Sequence, residues 1–113
     1  MGGEIPPLLS VNISMNTQLE NNTINRIDIT TPSKYQVILF NDDTTPMEFV
    51  IELLKNIFGH NQQSAEDVTM SIHNEGKGTA GVYYYEIAEQ KVAESTMISR
   101  TAGFPLSLDI EEV

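Results

Sequence analysis

The chain reads as an α+β domain, a three-stranded, mostly antiparallel sheet packed on three helices in the order β-α-α-β-α-β. Three observations predict it. Tyr35–Phe40 is a short run rich in β-branched and aromatic residues that stops abruptly at Asn41-Asp42-Asp43. Met47, Val50, Ile51, Leu54, Ile57 and Phe58 then recur at helical spacing. A second helical segment follows, then two strand-like segments separated by a third helical one. Helices segregated on one face of a small sheet are the natural packing for that order.

Each element has its own signals. The first strand ends at three small polar side chains that can turn the backbone through side-chain hydrogen bonds. Thr45-Pro46-Met47-Glu48 is expected to start the first helix twice over. Thr45 and Glu48 have capping-box spacing, and Pro46 falls at the first helical position. Gly59 is expected to end that helix. Asn61 is placed to cap a second helix running to about Asn74, with Ala65, Val68 and Ile72 on one face and Gly76 past its end. Thr79–Tyr84 reads as the second strand. A third helix is expected from about Tyr85 to Ala102, with Gly103 after it; Ala88 and Val92 begin an apolar stripe that blurs near Ser95 and Ser99. Leu106, Leu108 and Ile110 alternate with polar residues as the last strand. Residues 1–33 differ in character, with breakers at the start and an Asn- and Thr-rich stretch without a sustained period. They are expected to form a flexible N-terminal extension to a globular domain over 34–113.

Composition narrows the function. A chain of 113 residues supports one domain with at most a tail. Sixteen acidic against six basic residues give a formal charge of −10. That balance argues against nucleic acid or an anionic membrane as partner, and favours basic partners or a solvated surface. No run approaches the roughly 18 apolar residues of a membrane span, and neither a signal peptide nor a transit peptide is expected. Cysteine is absent, which excludes disulfides and thiolate metal sites and fits a cytoplasmic setting.

Asn41, Asp42 and Asp43 are the first candidate site. Two carboxylates and an amide at a strand end suit a cation such as an ammonium, because charge-assisted hydrogen bonds are the strong ones; an ordinary turn uses the same residues. Too few further oxygen ligands stand at regular spacing for a divalent metal, and no cofactor is expected. His73, late in the second helix, offers an imidazole that accepts one hydrogen bond and donates another. His60 has only a structural reading. Met47, Thr69, Met70, Ile72 and Leu106 are candidates for a cavity wall, although helical apolar spacing is more often ordinary core. Glu86 and Lys91 read as a solvated face. Catalysis has little support: there is no Gly-x-Ser-x-Gly elbow and no His-Glu-x-x-His.

Val37-Ile-Leu-Phe-Asn-Asp-Asp-Thr-Thr-Pro-Met-Glu-Phe-Val50, followed by His73, Gly76-Lys77, Gly81-Val82, Glu86, Lys91-Val92-Ala93 and Pro105-Leu106, closely resembles the ClpS family from about Ser33 to Ile110. The resemblance implies a non-enzymatic adaptor with a fold like the C-terminal domain of ribosomal protein L7/L12. Such an adaptor delivers proteins bearing an N-degron to a Clp AAA+ unfoldase of the ClpA or ClpC type and its peptidase. By the same resemblance Asn41, Asp42 and His73 bind the α-amino group and first peptide unit. Asp43 and Thr45 shape that end of the pocket, Met47 gates it against β-branched residues, and Ile72 and Leu106 line an apolar wall for Phe, Tyr, Trp or Leu. Glu86 and Lys91 match positions that contact the unfoldase N-domain, and a monomer is expected. Two departures stand out. Thr69 replaces a common methionine, implying a roomier and more polar wall; Asn74 replaces a common aromatic on the unfoldase-facing side. The rival readings are an L7/L12-like interaction module that reads no N-terminus, and a small hydrolase using His73.

Overall fold

The computed structural model describes residues 32–113. The expected extension over 1–33 therefore lies, except for its last two residues, outside the described residues. Six elements follow one another: β1 (Lys34–Phe40), α1 (Met47–Asn56), α2 (Gln62–Glu75), β2 (Lys77–Tyr84), α3 (Tyr85–Thr101) and β3 (Ser107–Glu112). β1 is central and pairs antiparallel with both neighbours, giving the strand order β2-β1-β3. This is the α+β sheet-and-helix arrangement that the sequence predicts.

The core follows from the pleat and the helical period. Val37 and Leu39 on β1, both fully buried, join Val50, Leu53, Leu54 and Phe58 from the first helical segment, Ala65 and Ile72 from α2, and Leu106. The stripe on α3 does not blur as expected. Ser95 and Ser99 are both 0% exposed and continue the buried face begun by Ala88. Small hydroxyl residues let that helix lie close to the sheet, and the Ser99 hydroxyl is satisfied by donating to the Ser95 carbonyl at 2.8 Å.

The start of α1 corrects another expectation. The helix begins at Met47, with Pro46 as an extended N-cap (φ −66°, ψ 147°) rather than as its first helical residue. No side chain caps it. The Thr45 hydroxyl, expected in a capping box, donates instead to the Asp42 carboxylate at 2.8 Å. The Pro46 carbonyl accepts from the Phe49 and Val50 N–H groups, so the first turn closes through the backbone. At the other end Gly59 adopts φ +74°, and the His60 N–H reaches back to the Leu54 carbonyl. By contrast, Asn61 caps α2 as expected, accepting from the Ser64 N–H at 2.8 Å.

His60 has the structural role expected of it. Its Nδ1 lies 2.6 Å from the Ser64 hydroxyl and its Nε2 2.6 Å from the Ala80 carbonyl. Ala80 is the extra residue of a bulge, because Val37 pairs with Gly81 and Ile38 with Thr79. The bulge thus turns a backbone carbonyl toward the α1–α2 connection. Gly81 beside it has no freedom for a side chain, since a Cβ there would collide with the Tyr83 ring.

Candidate functional site

The site forms because one strand end and one helix end are fastened together. α2 finishes in the left-handed Gly76 (φ +90°), whose N–H returns to the Ile72 carbonyl at 2.9 Å. The Gly76 carbonyl then accepts the N–H of Asn41 at 2.9 Å, just where β1 ends. His73, one turn back along α2, is thereby set beside the Asn41-Asp42-Asp43 connection. Asn41, Asp42, Asp43, Thr45, Met47 and His73 together line a cavity of about 240 Å³. That is below the roughly 300–1,000 Å³ of drug-sized pockets, and suits the end of a chain better than a cofactor.

Asp42 organises the connection. One carboxylate oxygen accepts the N–H groups of Thr44 (2.8 Å) and Thr45 (2.7 Å), and the other accepts the Thr45 hydroxyl (2.8 Å). A carboxylate has about four acceptor positions, so one remains for a donor from outside. Partial burial on its own favours the protonated acid. The Thr45 and Thr44 hydrogen bonds and the Arg100 charge outweigh it and hold the carboxyl below its usual range. Asp42 is therefore anionic at neutral pH. Asp43 is exposed beside it. The cavity also lies at the C-terminal end of α2, where the helix carries a partial negative charge of about half an electron. Two carboxylates, that helix end and an imidazole acceptor make a place for a compact cation with several donors.

The apolar candidates are placed differently. Met47 is 38% exposed at the cavity, whereas Thr69, Ile72 and Leu106 are sealed at 4%, 3% and 1% and do not contribute to its lining. Thr69 precedes His73 by one turn of α2. Its hydroxyl donates to the Ala65 carbonyl at 2.7 Å, so the polar wall expected of it is not formed. What Thr69 can offer is its methyl group.

The three residues matched to an unfoldase surface also part company. Asn74 and Glu86 are exposed. Lys91 is half-buried, with its ammonium donating to the Ile57 carbonyl at 2.8 Å and lying 5.4 Å from the centre of the Tyr83 ring. It closes the C-terminal end of α1 rather than standing on a solvated face. Arg100 carries no such signal in the sequence. It donates to the Phe104 and Leu106 carbonyls, contacts that a helix-terminal arginine does not announce. A larger depression of about 320 Å³ lies elsewhere, floored by Ile38 and Val68. It mixes Lys77 with Glu75 and Glu111, and seats the Thr79 hydroxyl on Gln36; its carboxylates thus already share their lining with a cation, which those of the smaller cavity do not. Among the described residues no group of three or more His, Asp or Glu converges as a metal site, and no helix is long and apolar enough to cross a membrane.

A three-stranded sheet on three helices, with a small anionic pocket where the central strand meets α2, gives this chain the frame of a small binding module. Comparison with known proteins agrees. The family model for the ATP-dependent Clp protease adaptor protein ClpS matches residues 30–109. A ClpS adapter of Nautilia profundicola is 43% identical over 89 residues, covering 79% of this chain and 92% of that protein. One from Shewanella loihica is 48% identical over 81 residues, covering 72% and 79%, and one from Clostridium acetobutylicum 42% over 101 residues, covering 89% and 100%. Among solved structures, Agrobacterium tumefaciens ClpS2 bound to L-phenylalaninamide superposes with a TM-score of 0.71 at 38% identity, covering 74% of this chain and all of that one. The chain belongs to the ClpS family, and is an adaptor of the ATP-dependent Clp protease rather than an enzyme.

Proposed function

We propose that the cavity at the end of β1 binds the free N-terminal residue of N-degron substrates, which this chain then delivers to a Clp unfoldase. The observation that carries the reading is the convergence of Asn41, Asp42, Asp43 and His73 on one small cavity with Met47 beside it. An α-ammonium supplies three donors. Asp42 has an acceptor position left for one, and Asn41 and His73 supply others or bind the first peptide unit. L-Phenylalaninamide, held by the Agrobacterium relative, has the same chemistry: a free amine, an amide and an apolar side chain.

The first side chain would pass Met47 toward the sealed wall of Thr69, Ile72 and Leu106. Met47 is unbranched and flexible, so it can give way to a Phe, Tyr, Trp or Leu side chain. A residue branched at Cβ brings its bulk to the narrow entrance instead. Burying a free amine is unfavourable unless it is paired, which is why the acceptors and the apolar wall must act together. Contact with the N-domain of a ClpA- or ClpC-type unfoldase falls to Glu86 and Asn74, both exposed. Lys91, already tied to Ile57, would help shape that surface. Residues 1–33 would serve as a tether during delivery.

Titration with peptides beginning Phe, Ala and acetyl-Phe tests the reading. The free Phe peptide is expected to bind, with the other two much weaker. Equal binding of free and acetylated peptides would refute recognition of the amine and favour a docking module that reads no N-terminus. Removing residues 1–25 should leave peptide binding intact while impairing degradation of an N-degron substrate by the assembled protease.

A further inference from the structure

Arg100 ends α3 on the surface, yet its guanidinium works inward. The same nitrogen, Nη1, donates to the Phe104 carbonyl at 3.1 Å and the Leu106 carbonyl at 2.9 Å. These carbonyls flank Pro105 in the connection from α3 to β3, ahead of the first ladder pair at Ser107. The connection leaves the helix through Gly103 (φ +87°), with the Phe104 N–H returning to the Ser99 carbonyl at 2.8 Å. On its far side the Phe104 ring meets Phe49 of α1 edge to face, with centroids 4.9 Å apart. Leu106 is sealed in the core. One side chain thus gathers a proline-containing segment that carries both an α1 contact and a candidate wall residue of the pocket.

The charge of the same cation also favours the ionised form of the strand-end carboxylate. Around Asp42, its own connection supplies Asp43, α1 begins with Met47 and Glu48, α2 supplies His73, and α3 supplies Arg100. The guanidinium donates to carbonyls and not to the carboxylate. A bidentate ion pair would occupy the acceptor that a ligand needs. Turned toward the carbonyls, Arg100 favours the charged carboxylate by field alone and leaves its open position free.

We propose that Arg100 is a positioning residue of the amine site, holding Leu106 in the sealed wall behind the pocket through the Phe104 and Leu106 carbonyls. The proposal rests on the reading of the cavity as an N-terminal-residue site. Two consequences can be separated. The clamp needs two donors on a nitrogen standing where Nη1 stands, one bond beyond the reach of a lysine ammonium. The field needs only a positive charge, which lysine keeps and glutamine does not.

The test uses full-length wild type, Arg100→Lys and Arg100→Gln, each binding a fluorescent Phe-initiated peptide across a pH series, with thermal melts alongside. Loss of one charge-assisted hydrogen bond corresponds to roughly tenfold or more in affinity, and both variants are expected to weaken by up to about tenfold near neutral pH while melting cooperatively. Asp42 is held below its usual range, so wild-type binding is lost only as the pH falls through that lowered value. In Arg100→Gln the loss should begin at higher pH; in Arg100→Lys the acid limb should stay where it is. His73 and Asp43 are the same in all three proteins, so the comparison isolates the charge at position 100. Variants with wild-type affinity and an unmoved acid limb would overturn the proposal, as would weakening fully accounted for by the unfolded fraction. A wild-type protein that fails to bind the peptide would overturn the underlying site reading and this proposal with it.

Discussion

Replacing Asp42 by Asn removes one charge and almost no volume, and the structure says what each oxygen loses. The oxygen that accepts the Thr44 and Thr45 N–H groups, at 2.8 and 2.7 Å, can be kept as the amide carbonyl. The other becomes an NH₂ facing the Thr45 hydroxyl, now at 2.8 Å. That hydroxyl can rotate and accept, so the turn should survive with a stability cost of about 1 kcal/mol. Ligand binding suffers more. The open acceptor toward an α-ammonium disappears together with the charge that made its bond strong, a loss of about 1.5–3 kcal/mol, or roughly 10- to 150-fold in Kd. Anisotropy titrations of free and acetylated Phe peptides against both proteins form a double-mutant cycle. The free peptide should lose most of its affinity in Asp42→Asn, whereas the acetylated peptide should bind both proteins equally poorly. An equal loss for both peptides would show that the substitution acts on the fold. No loss for the free peptide would show that Asp42 only shapes a turn.

Other perturbations reach different parts of the same account. Met47→Ala should admit Val- and Ile-initiated peptides that wild type rejects; an unchanged ranking in competition assays would make Met47 ordinary packing. Because the Thr69 hydroxyl is bonded within α2, Thr69→Val should leave the ratio of Phe to Leu peptide affinity within about twofold. A larger change would mean that the hydroxyl does reach the ligand, at the loss of one neutral hydrogen bond's worth of energy. The Ser95 hydroxyl is buried with no partner. Ser95→Ala should therefore stabilise the domain by about 1 kcal/mol, raising Tm by about 4–8 °C for a domain of this size. A lower Tm in calorimetry would reveal a hydroxyl contact that the packing does not show.

Local chemistry makes much of this protein legible in its sequence. The period of Met47 to Phe58 reflects one face turned to the buried core, and Tyr35–Phe40 stops at Asn41 because short polar side chains turn the chain. The glycines after α1, α2 and α3 occupy left-handed positions that side chains with a Cβ rarely adopt. Those signals are confined to a few neighbouring residues, so sequence carries them. They failed where two partners competed for one group. Thr45 has the spacing to cap α1, but the Asp42 carboxylate lies closer in the folded turn and is a charged acceptor, so it takes the hydroxyl. Serines at 95 and 99 look like the end of an apolar stripe, yet close approach of α3 to the sheet selects for small size over polarity. The candidate site divides the same way. Asn41, Asp42, Asp43, Thr45 and Met47 are contiguous enough to be seen as a unit, whereas the union with His73 depends on long-range pairing, the Asn41 N–H to the Gly76 carbonyl and the ladder that continues from Phe40 and Lys77. The inward turn of Lys91 to Ile57 and of Arg100 to Phe104 and Leu106 could be decided only by tertiary structure. A long cationic side chain can go to solvent or to any carbonyl within reach, and which carbonyls are within reach is fixed by how the helices pack.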